Sequence, residues 1–367
     1  MMRLNVDREF LHDAVIGGAL LGGGGGGSMD EGLREGLLAL DVGPIKLVSV
    51  DELAADDVLA TVSSVGAPAA TERFVQPVDY VEAVRLLQES ARVPLAGLIT
   101  SENGGSSTVN GWFQAAILGI PVVDAPCNGR AHPTGLMGAM GLHRKPGYRS
   151  VQTAVGGDPD KGRRIRMVVE GSMNVAAAAI RRAAVDAGGL VAVARNPVTV
   201  SYVREHAAVG AIGLAARVGR AMREAMSGGG PAVAAAAAGI LNGNVVAQGR
   251  VSRFRLVTEG GFDYGQVAVQ AGDDEYELSF WNEYMTLESS GQRLGTFPDL
   301  LATIAADSGL PVSGADIREG MDVVIVYIPA GSLPLGAGMR DPELFRAVEE
   351  VIGQEVVSYA FPESGAR

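Results

Sequence analysis

Residues Ala96–Gly135 read AGLITSENGGSSTVNGWFQAAILGIPVVDAPCNGRAHPTG, and this stretch decides the fold. The apolar run Ala96–Ser101 has the length of a buried strand, and Glu102, Asn103, Gly104 and Gly105 form a polar turn. A helix over Ser107–Leu118 and a second strand over Pro121–Asp124 follow. Strand, helix and strand make one βαβ unit, whose strands must run parallel with a right-handed crossover. Both polar loops then leave the same edge of the sheet. Ligands of open α/β sheets bind outside the carboxyl ends of the strands, which is where Glu102, Asn103, Asp124, Cys127 and His132 are expected to gather.

Working outward, Asp7 caps an amphipathic helix through Leu20, and six glycines, Gly22–Gly27, follow it. Ser28 and Glu31 have capping-box spacing before a second helix through Leu40. A glycine loop that opens a helix can present backbone N–H groups to an anion, yet no lysine follows and no strand precedes it. Two readings stand for Gly24 and Gly25: binding of a substrate oxygen, or close packing against neighbouring backbone. Strands are expected at Lys46–Val50 and Val58–Ser64, and a helix at Pro77–Glu89. A short helix is expected over Gly135–Leu142 and a hairpin from Ser150–Val155 and Arg164–Glu170. The alanine-rich helix Asn174–Asp186 leads into a strand at Leu190–Ala194, a second crossover unit. Helices over Val198–Met226, interrupted near Gly210, and Ala232–Ala238 precede a change of texture.

From Ile240 onward apolar and polar residues alternate between Gly and Asp turns, the pattern of antiparallel sheet, and a helix at Pro342–Ile352 follows. The expected architecture is therefore an α/β N-terminal domain over residues 1–240, layered, with a mainly parallel sheet and helices on both faces. Residues 241–367 form a β-rich, barrel-like domain with a C-terminal helix.

Composition narrows the function. A net charge of −12 with only three lysines (Lys46, Lys145, Lys161) does not make a phosphate-tracking surface, so nucleic acid is not the expected partner. With 47% hydrophobic residues the chain can bury a large core. No stretch has the 18 or so apolar residues of a membrane span, a lone cysteine excludes an intramolecular disulfide, and no basic leader opens the chain. A cytoplasmic, soluble homo-oligomer acting on a small molecule is expected.

The glycine run, Glu102-Asn103-Gly104, Pro121-Val122-Val123-Asp124, Gly129-Arg130-Ala131 with Pro133, Gly260-Gly261-Phe262, Asn282-Glu283 and Pro298-Asp299-Leu300 recur in order over nearly the whole chain. In these the sequence resembles the DUF917, or S-methyl thiohydantoin desulfurase-like, family. The resemblance implies an α/β domain followed by a barrel-like one, hydrolytic removal of sulfur from an S-methylated thiohydantoin, and association with hydantoinase- or oxoprolinase-type proteins. The sequence departs from the commoner pattern where Pro126, His132 and Thr134 stand, and offers Cys127 and His132 instead.

Converting an S-methyl thiohydantoin to a hydantoin adds a nucleophile to an amidine-like carbon and expels methanethiol. This needs a nucleophile or activated water, a general acid/base of tuned pKa, and donors for the ring's polar atoms. Cys127 could attack with His132 lowering its pKa, or Cys127, His132, His143 and Asp124 could bind zinc that activates water. Glu102 and Glu283, the latter between Trp281 and Tyr284, are the carboxylate candidates for proton transfer. Asn103, Gly104, Asn128, Arg130 and Asn282, with Gly24 and Gly25, are the candidates for holding substrate. Against these stand blander readings. Cys127 can be a small core hydrophobe, His143 a helix-terminal cation, Asp124 with Arg130 an ion pair that fixes the loop, and Glu283 a solvated face residue. A non-catalytic partner subunit of a hydantoinase-type enzyme is the alternative to a hydrolase.

Overall fold

Asp7 accepts the N–H of Phe10 at 2.9 Å and so starts helix α1 (Arg8–Leu21) with the cap its sequence predicts. The computed structural model to which this helix belongs describes residues 6–67 and 70–362. Helix α2 (Met29–Val42) follows the glycine run, but its expected capping box does not form: Ser28 makes no side-chain cap, and Glu31 turns instead to Arg73 at 2.8 Å. Strands β1 (Leu47–Val48) and β2 (Val58–Gly66) and helix α3 (Pro77–Ala91) come next. Strand β3 (Gly97–Thr100), helix α4 (Trp112–Leu118) and strand β4 (Val122–Val123) make the βαβ unit of the central stretch, with Leu98 opposite Val122 in parallel register.

Gly135–Leu142 is a series of turns rather than a helix, ending in a single 3-10 turn at Leu142–Arg144. Met140 and Gly141 are left-handed there, at φ of 51° and 75°, which no helix interior accommodates. Strands β5 (Ser150–Gly156) and β6 (Ile165–Gly171) form the expected antiparallel hairpin; helix α5 (Met173–Asp186) then leads to β7 (Leu190–Thr199). The sheet order is β1-β4-β3-β2-β7-β5-β6. Its first four strands are parallel, whereas β7 runs antiparallel to β2 and β5, so the sheet is mixed. Since β5 is antiparallel to both of its neighbours, β6 and β7 are parallel, and α5 is the crossover between them.

Alternation along β2 sends Ala60 and Val62 into one core with α1, α2, α3 and α4. Leu59 points to the opposite face, into a core with Ile99, Val123, Cys127 and Met173, and Val65 packs beneath α5 on that face. Helices α6 (Val200–His206), α7 (Ala211–Ala225) and α8 (Gly229–Ile240) connect onward. Helices α1, α7 and α8 share a third core with the second sheet through Leu20, Val218, Ala234, Ile304 and Val326.

That second sheet comprises β8 (Asn244–Glu259), β9 (Phe262–Ala271), β10 (Asp274–Trp281), β11 (Glu283–Ser289), β12 (Gln292–Thr296), β13 (Leu300–Ala305), β14 (Pro311–Val312) and β15 (Asp322–Ile328). All its pairings are antiparallel, in the order β12-β11-β10-β9-β8-β15-β13-β14. It curls until β11 and β12 pack against β13, barrel-like without hydrogen-bonded closure. Helix α9 (Pro342–Ile352) covers the Trp281–Met285 end through Phe345 and Val348.

Candidate active site

Two loops meet at the carboxyl ends of β3 and β4. Cys127 N–H donates to Thr100 O at 3.0 Å and Asn128 N–H to Ser101 O at 3.1 Å, and Glu102 bridges to Asn128. The loop after β4 therefore runs alongside the one after β3 and holds Glu102 at the carboxyl end of the parallel strands. A cavity of about 300 Å³ opens there, walled by the end of β2, Ser101, Glu102, Gly26 and Gly27, His132, Arg181 and Arg195, and closed by Asn282 and Glu283 from the second sheet.

Glu283 reaches this cavity because Asn282 turns the β10–β11 hairpin at a φ of 58°, a left-handed position that Asn tolerates. Asn282 is held by Asp263 in both directions, accepting its N–H at 2.9 Å and donating to its carbonyl at 2.6 Å. Tyr284 N–H donates to Gly23 O at 2.7 Å, so the hairpin is stitched to the glycine run. A Cβ on Gly25 would lie 2.1 Å from Glu283 Oε1, and one on Gly24 would lie 3.0 Å from the Tyr284 ring. Gly26 and Gly27 line the cavity, but Gly24 and Gly25 are pressed against the hairpin, so close packing explains those two residues.

Glu102 accepts from Ser107 Oγ at 3.2 Å and from His132 N–H at 3.3 Å, and its Oε2 lies 3.2 Å from His132 Nε2. Burial pushes its carboxyl up to about 7, against the pull of those hydrogen bonds and of Arg195 and Arg130. Glu283 is raised well above the carboxylate range by burial and by the charge of Glu102, with Arg130 and Arg181 opposing. Its Oε2 has no hydrogen-bond partner among the described residues. His132 is driven down to about 3 by burial and the nearby Arg195, so its imidazole is neutral at physiological pH. A Cβ on Gly138 would lie 2.4 Å from that ring, which is why the turn beneath it carries glycine.

Two arginines face this acid pair that no short motif marks. Arg195 donates to Ser101 Oγ at 2.9 Å and leaves its buried Nε without a partner among the described residues. Arg181 is held by the carbonyls of Gly66, Gly261 and Pro133 at 3.2, 2.8 and 3.2 Å and stacks on Phe262. The available signal was Arg195 itself, a charge inside the otherwise apolar strand VAVAR.

The remaining candidates are engaged elsewhere. Cys127 is fully buried, its Sγ 3.2 Å from Thr61 Oγ1, and burial raises its thiol to about 11. It does not line the cavity, and no hydrogen bond joins it to His132, whose neighbour is Glu102. Asp124 accepts the N–H groups of Ile212 and Gly213 at 2.7 and 3.1 Å, capping α7. His143 is engaged by another partner, its Nε2 2.6 Å from Asp341 at the start of α9. The zinc set Cys127, His132, His143 and Asp124 is therefore not assembled, and no group of three or more His, Cys, Asp or Glu side chains converges among the described residues. The four do not fit a metal. Asn103 donates to Gly129 O and Ala211 O at 3.2 and 2.8 Å. Asn128 donates to Arg130 O at 2.8 Å and accepts from Gly336 N–H at 3.1 Å. Gly104 packs on Gly26. Arg130 pairs not with Asp124 but with the carbonyls of Pro298 and Asp299, beneath Phe297. These four residues join the two sheets and the loops between them.

Sequence-family models match residues 9–161 as the S-Me-THD-like N-terminal domain and residues 172–334 as the S-Me-THD-like C-terminal domain. The chain belongs to the S-methyl thiohydantoin desulfurase-like (DUF917) family. Glu102 falls inside the first matched region and Glu283 inside the second. A crystal structure of a protein from Chromobacterium violaceum is similar, at 22% identity and a TM-score of 0.73, over 96% of this chain and 97% of that one. That likeness establishes the S-Me-THD-like fold as one that another chain adopts over its whole length. No functionally curated protein matches this S-Me-THD-like chain. Among its described residues no helix is long and apolar enough to cross a membrane.

Proposed function

We propose that the chain is a hydrolase of a small heterocyclic amide or thioamide, converting an S-methyl thiohydantoin to a hydantoin with Glu102 and Glu283 as its acid/base pair. The observation that carries this reading is the pair itself: two carboxyls from different sheets, each with its pKa raised by burial, at one cavity. Like charges in a dry site cannot both ionise easily, so one carboxyl holds a proton where the other has lost it.

In this mechanism the ionised carboxylate takes a proton from a water molecule as its oxygen bonds to the ring carbon bearing the S-methyl group. The tetrahedral adduct collapses, the C–S bond breaks, and the protonated carboxyl delivers its proton to the departing methanethiolate. The remaining hydroxyl proton shifts to ring nitrogen, leaving hydantoin. Arg195, whose Nε is free to donate, holds the charge that builds on the ring, and the His132 backbone N–H orients Glu102. A volume of about 300 Å³ is at the small end of ligand pockets and suits a five-membered ring with one substituent.

The test is release of methanethiol and appearance of hydantoin from an S-methyl thiohydantoin by the purified chain. Glu102→Gln and Glu283→Gln should each lower kcat by about 100-fold or more with the fold retained. Undiminished turnover in both variants would refute the acid/base assignment. Hydantoin binding without any turnover would favour a partner subunit of a hydantoinase-type enzyme.

A further inference from the structure

Strand β7 carries the sequence VARNPV over residues 193–198, and two of these residues are irregular for a central strand. Asn196 is left-handed at a φ of 53° although it is buried. Pro197 has no N–H to give the ladder, which a strand paired on both sides tolerates only at a bulge. The register with β2 shows that bulge: Thr61 lies opposite Arg195 and Leu59 opposite Val198, so Asn196 and Pro197 together answer to Ala60 alone. The consequence is the direction of Arg195. Directly opposed residues share a face of the sheet. Val198 packs with Leu59 in the core that includes Cys127, and Thr61 Oγ1 lies 3.2 Å from Cys127 Sγ. Arg195 and Val198 therefore share one face although they are three residues apart, which strict alternation forbids. Without the extra residue, and with Val198 still buried, position 195 would point into the core beneath α3 and α4, away from Ser101 and the cavity.

The side chain of Asn196 is held as well. Its Oδ1 accepts from Ser150 Oγ at 2.6 Å, and Ser150 Oγ accepts from Gln152 Nε2 at 2.9 Å, all three residues being buried. Gln152 stands opposite Arg195 on β5, yet its amide is drawn along the strand to Ser150. Arg195 Nε and Gln152 Oε1 both stay without a partner among the described residues, while Arg195 Nη2 is fixed on Ser101 Oγ at 2.9 Å.

We propose that Asn196 is a positioning residue for the hydrolysis: its left-handed bulge turns Arg195 onto the cavity face, and its hydrogen bond from Ser150 locks that turn. The proposal rests on the hydrolysis reading, in which Arg195 holds the charge that builds on the ring. Asn is suited to the place because it enters the left-handed region more readily than other residues with a Cβ and still offers an acceptor to Ser150.

The experiment compares Asn196→Gly, which takes the left-handed conformation freely, with Asn196→Ala, which resists it. Because the charge on the ring exists in the transition state, Asn196→Ala should lower kcat on an S-methyl thiohydantoin by about tenfold or more and leave KM within about threefold. Asn196→Gly should retain about a third or more of the wild-type kcat. In an Arg195→Ala background the Asn196→Ala change should cost less than about twofold, because the group it positions is gone. A tenfold loss in that background, an unchanged kcat in Asn196→Ala, or equal losses in the glycine and alanine variants overturns the proposal. Should Asn196→Ala fail to fold, Ser150→Ala, which releases the Asn196 amide, goes through the same cycle with the same criterion. Crystal structures of the variants give a readout without turnover: the Arg195–Ser101 hydrogen bond should persist in Asn196→Gly and be lost in Asn196→Ala. Loss of that bond with no turnover by any form, wild type included, keeps the placement of Arg195 by Asn196 and sinks the hydrolysis. Wild-type turnover with the bond intact in Asn196→Ala does the reverse.

Discussion

Glu102→Gln isolates what the buried anion costs the fold. The carboxyl stands at about 7 against a reference of 4.5, because burial outweighs its hydrogen bonds from Ser107 and the His132 N–H. At 1.36 kcal/mol per unit, that difference is on the order of 3 kcal/mol. A raised folded-state pKa means that the folded chain keeps its proton longer. The stabilisation is complete below the unfolded value and is lost as pH rises through about 7. Glu283, also raised, loses stability in the same direction, and the Glu102 charge is one cause of its rise. The wild type should therefore become less stable between pH 5 and pH 8 on both accounts. In Glu102→Gln the decline should shrink by about 3 kcal/mol. Placing an amide against the His132 N–H costs about 1 kcal/mol, but at every pH, so it lowers the curve without tilting it. Urea denaturation of both proteins at pH 5, 6, 7 and 8 reads the difference. Parallel stability curves across that window would refute the claim that Glu102 is desolvated, and with it the poised acid/base pair.

Gly25→Ala puts a methyl group 2.1 Å from Glu283 Oε1, so it should displace that carboxylate and cut kcat by about tenfold or more, with a smaller proportional loss of stability. Matched losses of folding and turnover would mean that the glycine serves packing alone. Cys127, buried with its thiol at about 11, should resist iodoacetamide at pH 7 in the folded chain and react fully once unfolded. Rapid labelling of the native protein would restore a nucleophilic role for Cys127.

The sequence by itself determined the elements whose signals are local. The apolar runs Ala96–Ser101 and Pro121–Asp124 with a helix between them require parallel strands, and that topology places Glu102 at the carboxyl edge of the sheet. Alternation after Ile240 marked antiparallel strands, and Asp7 and Pro342 marked helix starts, because periodicity and capping act within a few residues. The expected Ser28–Glu31 box failed for a non-local reason, since Arg73, distant in the chain, takes Glu31. The same limit governs the site. Cys127 and His132 share one short loop, and nearness along the chain made them look like partners. The tertiary structure instead turns the thiol into the core against Thr61 and the imidazole toward Glu102. Only packing of the second sheet onto the glycine run brings Glu283 to the cavity, and only the β2–β7 pairing sets Arg195 beside Ser101. Desolvation, which makes these carboxyls chemically useful, depends on everything folded around them and has no signature in any short stretch of sequence.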